Sequence, residues 1–398
     1  MSLASIFHWF RRGTHKHQRL AVCPTDDGLT LALAERQPDG NTVVHWVDFI
    51  APPAAPLPAE PPPVRDPEGG GRRGGDRREG DRRQPGGSAP WFGPERRQTN
   101  RRTGSRRVGP RRSRNQEPPL PTPVANAGEF ARWFEPLQEA VDRLDLRPVP
   151  CTTLLRPGDY SLVMVDSPDV PPNELRSALR WQLKDLIDFH IDDAVIDVFA
   201  VPERDGHAGR RVYAVAARRD KVQQLVNLLD VVGCNLTTID IPELALLNIA
   251  ERLPEDEGGV AFISFGREQG LLTLTRNGEL YFSRRVDCGS ARLLAANEGE
   301  LLNPALEAVL DGLIIEVQRS LDFYERHFGQ SSVSAIVLSP VAGLSDQVCQ
   351  YLESQLGVRA RWLDPAADCG LEQARSPEAS ALGTAAIGAA LRQEEMAL

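Results

Sequence analysis

Few residues of this 398-residue chain are of types and spacings that do chemistry by themselves. The six cysteines stand at 23, 151, 234, 288, 349 and 369, with no Cys-x-x-Cys pair among them. That spacing argues against a zinc site and a disulfide framework, and it fits a reducing cytoplasm. The seven histidines are equally dispersed, so a metalloenzyme is not expected. No Ser-His-Asp, paired-carboxylate or P-loop pattern takes their place. The residues thus offer no metal ligands and no catalytic group.

What is organised is arginine. Pairs recur at a five-residue spacing: Arg72-Arg73, Arg77-Arg78, Arg82-Arg83, then Arg96-Arg97, Arg101-Arg102, Arg106-Arg107 and Arg111-Arg112. From Arg65 to Arg114 sixteen arginines face six carboxylates, a local charge of +10. Since the whole chain carries −9, the rest carries −19. Such pairs suit anionic lipid or nucleic acid, or equally a solvated, self-repelling linker. The surrounding segment favours the linker. Residues 51–123 hold 16 prolines and 11 glycines in 73 positions, too little apolar surface to offset the entropy of ordering. A disordered insert is expected there, with no specific nucleic-acid partner.

The elements on either side carry strong turn signals. Arg19–Pro24 and Leu29–Glu35 alternate around Asp26-Asp27-Gly28, and Pro38-Asp39-Gly40 turns into Thr42–Phe49. The same arrangement recurs about 240 residues on, at Val260–Gly266, Leu271–Thr275 and Leu280–Val286, with Asn277-Gly278 at the second turn. Asp-Gly and Asn-Gly between alternating runs mark hairpins, so the chain reads as a duplication with a meander opening each half. Helices are expected at Glu129–Leu144, Pro171–Leu186, Asp220–Val232, Pro304–Phe328, Asp346–Leu356 and Ala379–Leu391, with Asp240 capping one that starts near Pro242. Strands are expected at Ala194–Val201, Arg211–Ala217, Leu236–Ile239, Ala335–Leu338 and Val358–Trp362. Tyr160–Val165 reads as a buried parallel strand. Trp181 is expected in the core. No run reaches the ~18 apolar residues that span a bilayer, and the opening MSLASIFHWFRR lacks a secretory core. Its Leu3, Ile6, Phe7 and Phe10 suit either an interfacial anchor or docking on the protein's own body.

Two α/β lobes, each led by a meander, form the plan of the actin-like fold. Particular residues make the resemblance specific. Ala178–Ile187, Asp192–Val198, Val212–Ala217, Asp240–Leu246, Gly278–Arg284 and Glu316–Tyr324 resemble the PilM family of actin-like pilus assembly proteins. Within it they are most similar to the MshI branch of mannose-sensitive haemagglutinin (MSHA) pili. The resemblance implies a first lobe at residues 18–50 and 124–252, with an inserted subdomain near 166–220. A second lobe spans 253–392, and a basic amphipathic N-terminus covers 1–17.

The resemblance also implies ATP between the lobes, with an aspartate from each hairpin turned toward magnesium. Here those positions are Cys23 and Ser264, Pro24 removes a backbone donor, and the glycine pair behind the adenosine becomes Ser339-Pro340. Magnesium usually needs one or two carboxylates besides the phosphates. Were nucleotide binding retained, the resemblance would assign it to Gly28, Ser264, Gly266, Glu316, Arg319 and Gly343. Asp26 or Asp27 taking the metal role is an alternative, and Glu316 with Arg319, at a one-turn spacing, more often forms a surface pair. The expectation is a non-catalytic scaffold without cofactor, peripheral at the inner membrane through the cytoplasmic tail of a PilN-type protein. The competing expectation is an ATPase whose nucleotide state regulates pilus assembly.

Overall fold

The computed structural model describes residues 17–52, 122–202, 210–297, 299 and 302–393. The amphipathic N-terminus and nearly all of the arginine-rich insert lie outside the described residues.

In the first half, β1 (Gln18–Pro24), β2 (Leu29–Arg36) and β3 (Thr42–Ile50) form the expected meander. After α1 (Thr122–Ala125), the expected helix at 129–144 divides into a 3₁₀ turn, Gly128–Trp133, and α2 (Phe134–Arg143). Pro136, which has no amide to donate, sits in the first turn of α2, where none is needed. Then follow β4 (Pro150–Leu154), β5 (Tyr160–Asp166), α3 (Pro172–Leu183), β6 (Ala194–Ala200), β7 (Arg211–Arg218), α4 (Arg219–Val232), β8 (Asn235–Asp240) and α5 (Pro242–Ala250). Five strands pair in the order β3-β2-β1-β4-β8, and β5-β7-β6 make a separate three-stranded sheet.

The second half repeats the plan with β9 (Val260–Phe265), β10 (Gly270–Arg276) and β11 (Glu279–Val286), then α6 (Ser290–Ala296) and α7 (Pro304–Phe328). β12 (Ala335–Leu338), α8 (Gln347–Leu356) and β13 (Arg359–Trp362) complete its sheet, in the order β11-β10-β9-β12-β13. The two five-stranded sheets have the same topology, a meander extended by two parallel strands from its first strand. This is the duplicated, two-lobed actin-like fold.

Two expectations on strands and helices are corrected. Tyr160–Asp166 pairs antiparallel with β7 and, among the described residues, leaves its other edge unpaired. The buried parallel strand is β4, which carries Cys151-Thr152-Thr153; Thr153 Oγ1 meets its need by donating to the Val22 carbonyl. The expected helix 379–391 is split at Gly383 into α10 (Pro377–Leu382) and α11 (Thr384–Ala390), after the short α9 (Pro365–Cys369). Glycine has low helix propensity and here ends one helix and opens the next.

Each lobe has its own core, with Phe130 and Trp133 buried in the first and Tyr324 and Phe328 in the second. A third cluster joins them and is rich in small residues: Ala21, Cys23 and Ala32 of the first sheet, Ala245 of α5, and Ala386, Ala389 and Ala390 of α11. At Gly388 a Cβ would stand 2.1 Å from the Ala245 carbonyl oxygen, so only glycine lets α11 seat on α5. The chain reaches α11 along a strap, where Val44 and Val47 donate to the carbonyls of Gly370 and Gln373. His45 lies between Glu372 (2.8 Å) and Glu35 (3.0 Å) and ties the strap to β2 and β3.

Candidate functional site

The β1–β2 and β9–β10 turns face each other across the lobes, and Arg267 Nη1 donates to Asp27 Oδ1 at 2.7 Å between them. In the first turn, Gly28 N donates to Thr25 Oγ1 and Thr25 N donates to the Gly28 carbonyl. Gly28 is glycine for packing. A Cβ there would stand 2.4 Å from the Ile50 oxygen and 2.5 Å from the Phe49 ring. In the second turn, Gly266 N donates to the Gln269 carbonyl, while Ser290 N and Ala291 N of α6 donate back to the oxygens of Gly266 and Arg267. Phe265 N donates to Ser339 Oγ at 2.9 Å. These amides, which an anion would need, already have acceptors within the protein. Asp27, an alternative metal ligand in the sequence, instead pairs with Arg267.

Beneath the turns the cleft is closed by buried groups. Cys23 is fully buried in the small-residue cluster, and burial pushes its thiol pKa up; the Leu154 backbone draws it partly back and the nearby Asp240 carboxylate adds to the rise. Ser264 is half-buried on β9, opposite Leu271. Asp240 is not the cap of α5. Ile241 holds that position, and the Asp240 carboxylate accepts from the Ile241 amide and pairs with Arg392, just beyond α11. Burial raises the Asp240 pKa, and Arg392 offsets part of the rise. Beside it, buried Glu243 is likewise raised by burial and accepts from Tyr160 Oη at 2.6 Å, with Arg285 near the Tyr160 ring. The sequence reading passed over Asp240, Glu243 and Arg392 as cleft groups. The strand gave no signal, because in β8 only Asp240 itself is buried, and aspartate is mostly an exposed residue.

The remaining sequence candidates are spread over the second lobe. Glu316 accepts from Arg284 and from the Asp287 amide, both at 3.3 Å. Arg319 projects into solvent further along α7 and makes no ion pair with another described residue, so the two do not form the expected surface pair. The Gly343 carbonyl accepts from Asn297, just after α6, whereas Gly266 sits at the start of α6. Of the six, Gly28 and Gly266 are brought together by the Asp27–Arg267 bridge, with Ser264 two residues from Gly266; Glu316, Arg319 and Gly343 stand apart. Among the described residues, no three His, Cys, Asp or Glu are grouped to hold a metal ion, and no helix is long and apolar enough to cross a membrane.

The three-stranded sheet β5-β7-β6 and α3, where the inserted subdomain was expected, are built differently. Leu179 and Leu183 of α3 are fully buried against Val165, Val212 and Ala214, with Leu175 packed beside them. That i, i+4, i+8 row fixes which face meets the sheet. Trp181 falls two residues from the row, on the opposite face, and is 81% exposed; Leu186 beyond the helix is 54% exposed. The expectation of a core Trp181 is corrected. Asp185, Asp188, Asp192, Asp193 and Asp197 of the same segment are all exposed. Three of them meet arginines: Asp192 with Arg180, Asp197 with Arg176 and Asp188 with Arg218.

Comparison with known proteins agrees with this architecture. Residues 163–298 match the family model of the type IV pilus assembly protein PilM. A solved PilM–PilN type IV pilus biogenesis complex is similar at 17% identity, over 94% of this chain and 97% of that one, with a TM-score of 0.59. Weaker likenesses are the cytoplasmic domain of EpsL, an inner-membrane component of the Vibrio cholerae type II secretion system (11% identity, 85% and 94% coverage, TM-score 0.39). A Bacteroides thetaiotaomicron protein of actin-like ATPase fold and unknown function is comparable (8%, 88% and 93%, 0.40). No curated protein sequence matches the chain.

Proposed function

We propose that this chain is a non-catalytic, actin-like scaffold of type IV pilus assembly that captures the cytoplasmic tail of a PilN-type inner-membrane protein. The observation that carries the docking role is Trp181, left in water on the outer face of α3 within the segment that matches the PilM model. Tryptophan is the residue most enriched at binding hot spots. Exposed carboxylates of the same segment, Asp185 and Asp193 among them, suit a tail carrying lysine and arginine, the usual composition beside a membrane span on the cytoplasmic side. The MSHA branch is the finer assignment, resting on the sequence resemblance alone.

The non-catalytic part of the reading rests on the cleft. A magnesium nucleotide does not fit the groups present: position 23 holds a buried neutral thiol, position 264 a serine, and Asp27 is paired with Arg267. An ATPase that regulates assembly would need those positions recast. The protein would then sit peripherally at the inner membrane through its partner.

The test is titration of the full chain with synthetic peptides covering the tail of the PilN-type protein from the same cell. Trp181→Ala is expected to weaken binding about 30-fold, roughly 2 kcal/mol, with an unchanged melting curve. Equal affinity of the variant, or a tail that binds only with Mg-ATP present, would sink the reading.

A further inference from the structure

A second surface of this molecule is unlike the α3 face in both shape and charge. Between the unpaired edge of β5 and the outer side of α7 runs an open groove of about 520 Å³, continuous through Phe323 and His327 with a hollow of about 410 Å³. The groove wraps round the strand edge. Met164 and Asp166 reach it from the side of the sheet toward α7, Val165 and Gln182 from the side that carries α3. Along α7, Ile315, Arg319 and Phe323 recur at four-residue steps, so they line one stripe. Ile315 is 49% and Phe323 39% exposed. Phe323 is held as a platform, with its ring 4.9 Å from that of Phe282 and stacked on His327 at 4.7 Å.

The charges here are positive on balance. Arg326 pairs with Asp322, and Asp166 stands opposite Arg211 in the β5–β7 register. Arg211 Nη1 donates to His327 Nε2 and packs over Phe328. Arg319 alone of these arginines has neither a carboxylate partner among the described residues nor burial to hold it in place. It is a cation at the mouth of a groove where Met164, Val165 and Phe323 stand among polar side chains, on a chain whose charge outside the insert is −19.

The geometry points to a second docking site, which takes an acidic, extended segment of a partner protein as a fourth strand along β5. An unpaired edge offers main-chain donors and acceptors in a row, which a peptide satisfies and a small ligand does not. Alternate side chains of an added strand point the same way. Apolar ones would rest on Met164 and Phe323, while a carboxylate meets the Arg319 fork in the bidentate geometry that favours arginine. Because Phe323 is fixed before binding, less ordering is lost on association.

The experiment is selection of a displayed library of random decapeptides on the full chain, run in parallel on Arg319→Glu, Phe323→Ala and Trp181→Ala. Expected is a set in which Asp or Glu alternates with Leu, Ile or Phe. It should bind Arg319→Glu and Phe323→Ala at least tenfold more weakly and Trp181→Ala equally well. N-methylation along one backbone edge of a selected peptide should abolish binding, as strand pairing requires. The proposal is overturned if no acidic-apolar set emerges, if Arg319→Glu selects the same set, or if N-methylation changes nothing. It is also overturned if the set reproduces a segment of this chain, which would make the occupant a second copy or the protein itself. Both substituted side chains on α7 reach solvent, and unchanged melting curves of the variants guard against unfolding.

Discussion

The cleft between the lobes and the inserted subdomain use the same kinds of residue to opposite ends. In the cleft, polar groups are mutually satisfied: buried Asp240 with Arg392 and buried Glu243 with Tyr160, and nearer the surface Asp27 with Arg267 and the turn amides with nearby carbonyls and hydroxyls. In the subdomain, Trp181 and Leu186 are left in water. A group whose hydrogen bonds are already made has nothing further to gain from a ligand. Apolar surface in water has a standing gain of about 25 cal/mol per Å² on burial. The contrast teaches where this molecule holds itself together and where it has binding capacity to spare.

The comparison breaks most visibly if the cleft is given back a carboxylate. Cys23→Asp puts a charge into an apolar site beside Asp240, and we expect a loss of at least about 4 kcal/mol in urea unfolding. The variant should gain no affinity for Mg-ATP. A stable variant that binds nucleotide would show the cleft to be only one substitution from an ATPase.

Arg392→Ala should come next, at about 3 kcal/mol, because it strands the buried Asp240 carboxylate. The sign with pH follows from the raised Asp240 pKa. A carboxyl raised on folding favours the protonated form, so stability is greatest below the unfolded value near 4 and falls as pH rises through the folded one. Removing Arg392 enlarges that rise, so the loss should be smaller at pH 5 than at pH 8. Asp240→Asn in the same chain should recover most of it.

A third measurement sharpens the contrast by a near-zero result. Millimolar Mg-ATP should move the melting temperature of the native chain by less than about 1 °C. A ligand at 100 times its Kd would add about 2.7 kcal/mol, a shift of several degrees.

The smallest effect belongs to the strap. Glu372, and to a lesser degree Glu35, raise the pKa of His45, so its contribution is complete below about 6.5 and is lost as pH rises through the folded value. We expect about 0.5 kcal/mol, read as weaker intrinsic-rate-corrected hydrogen-exchange protection of the Val44 and Val47 amides at pH 8 than at pH 6. His45→Gln should abolish the dependence, and a dependence that survives would locate the titrating group elsewhere.

The sequence alone determined the duplicated meanders, because alternation and Asp-Gly or Asn-Gly turns are local and act over a few residues. It determined α7 to the residue for a similar reason: Asn303 accepts from the amides of Ala305 and Leu306, Pro304 opens the helix, and Gly329 closes it in a left-handed conformation. It also determined that positions 23 and 264 lack carboxylates. What it left open was every question of facing. Whether Trp181 lies inside or out depends on which row of α3 meets the sheet, and a helix with apolar residues on more than one side does not decide that by itself. Tyr160–Asp166 is apolar enough for a buried strand, yet its neighbours come from 45 to 57 residues on and, among the described residues, leave one edge bare. The partners of Asp240 and Asp27 lie 152 and 240 residues away. Burial and charge pairing over such separations are properties of the packed lobes, and only the tertiary structure could decide them.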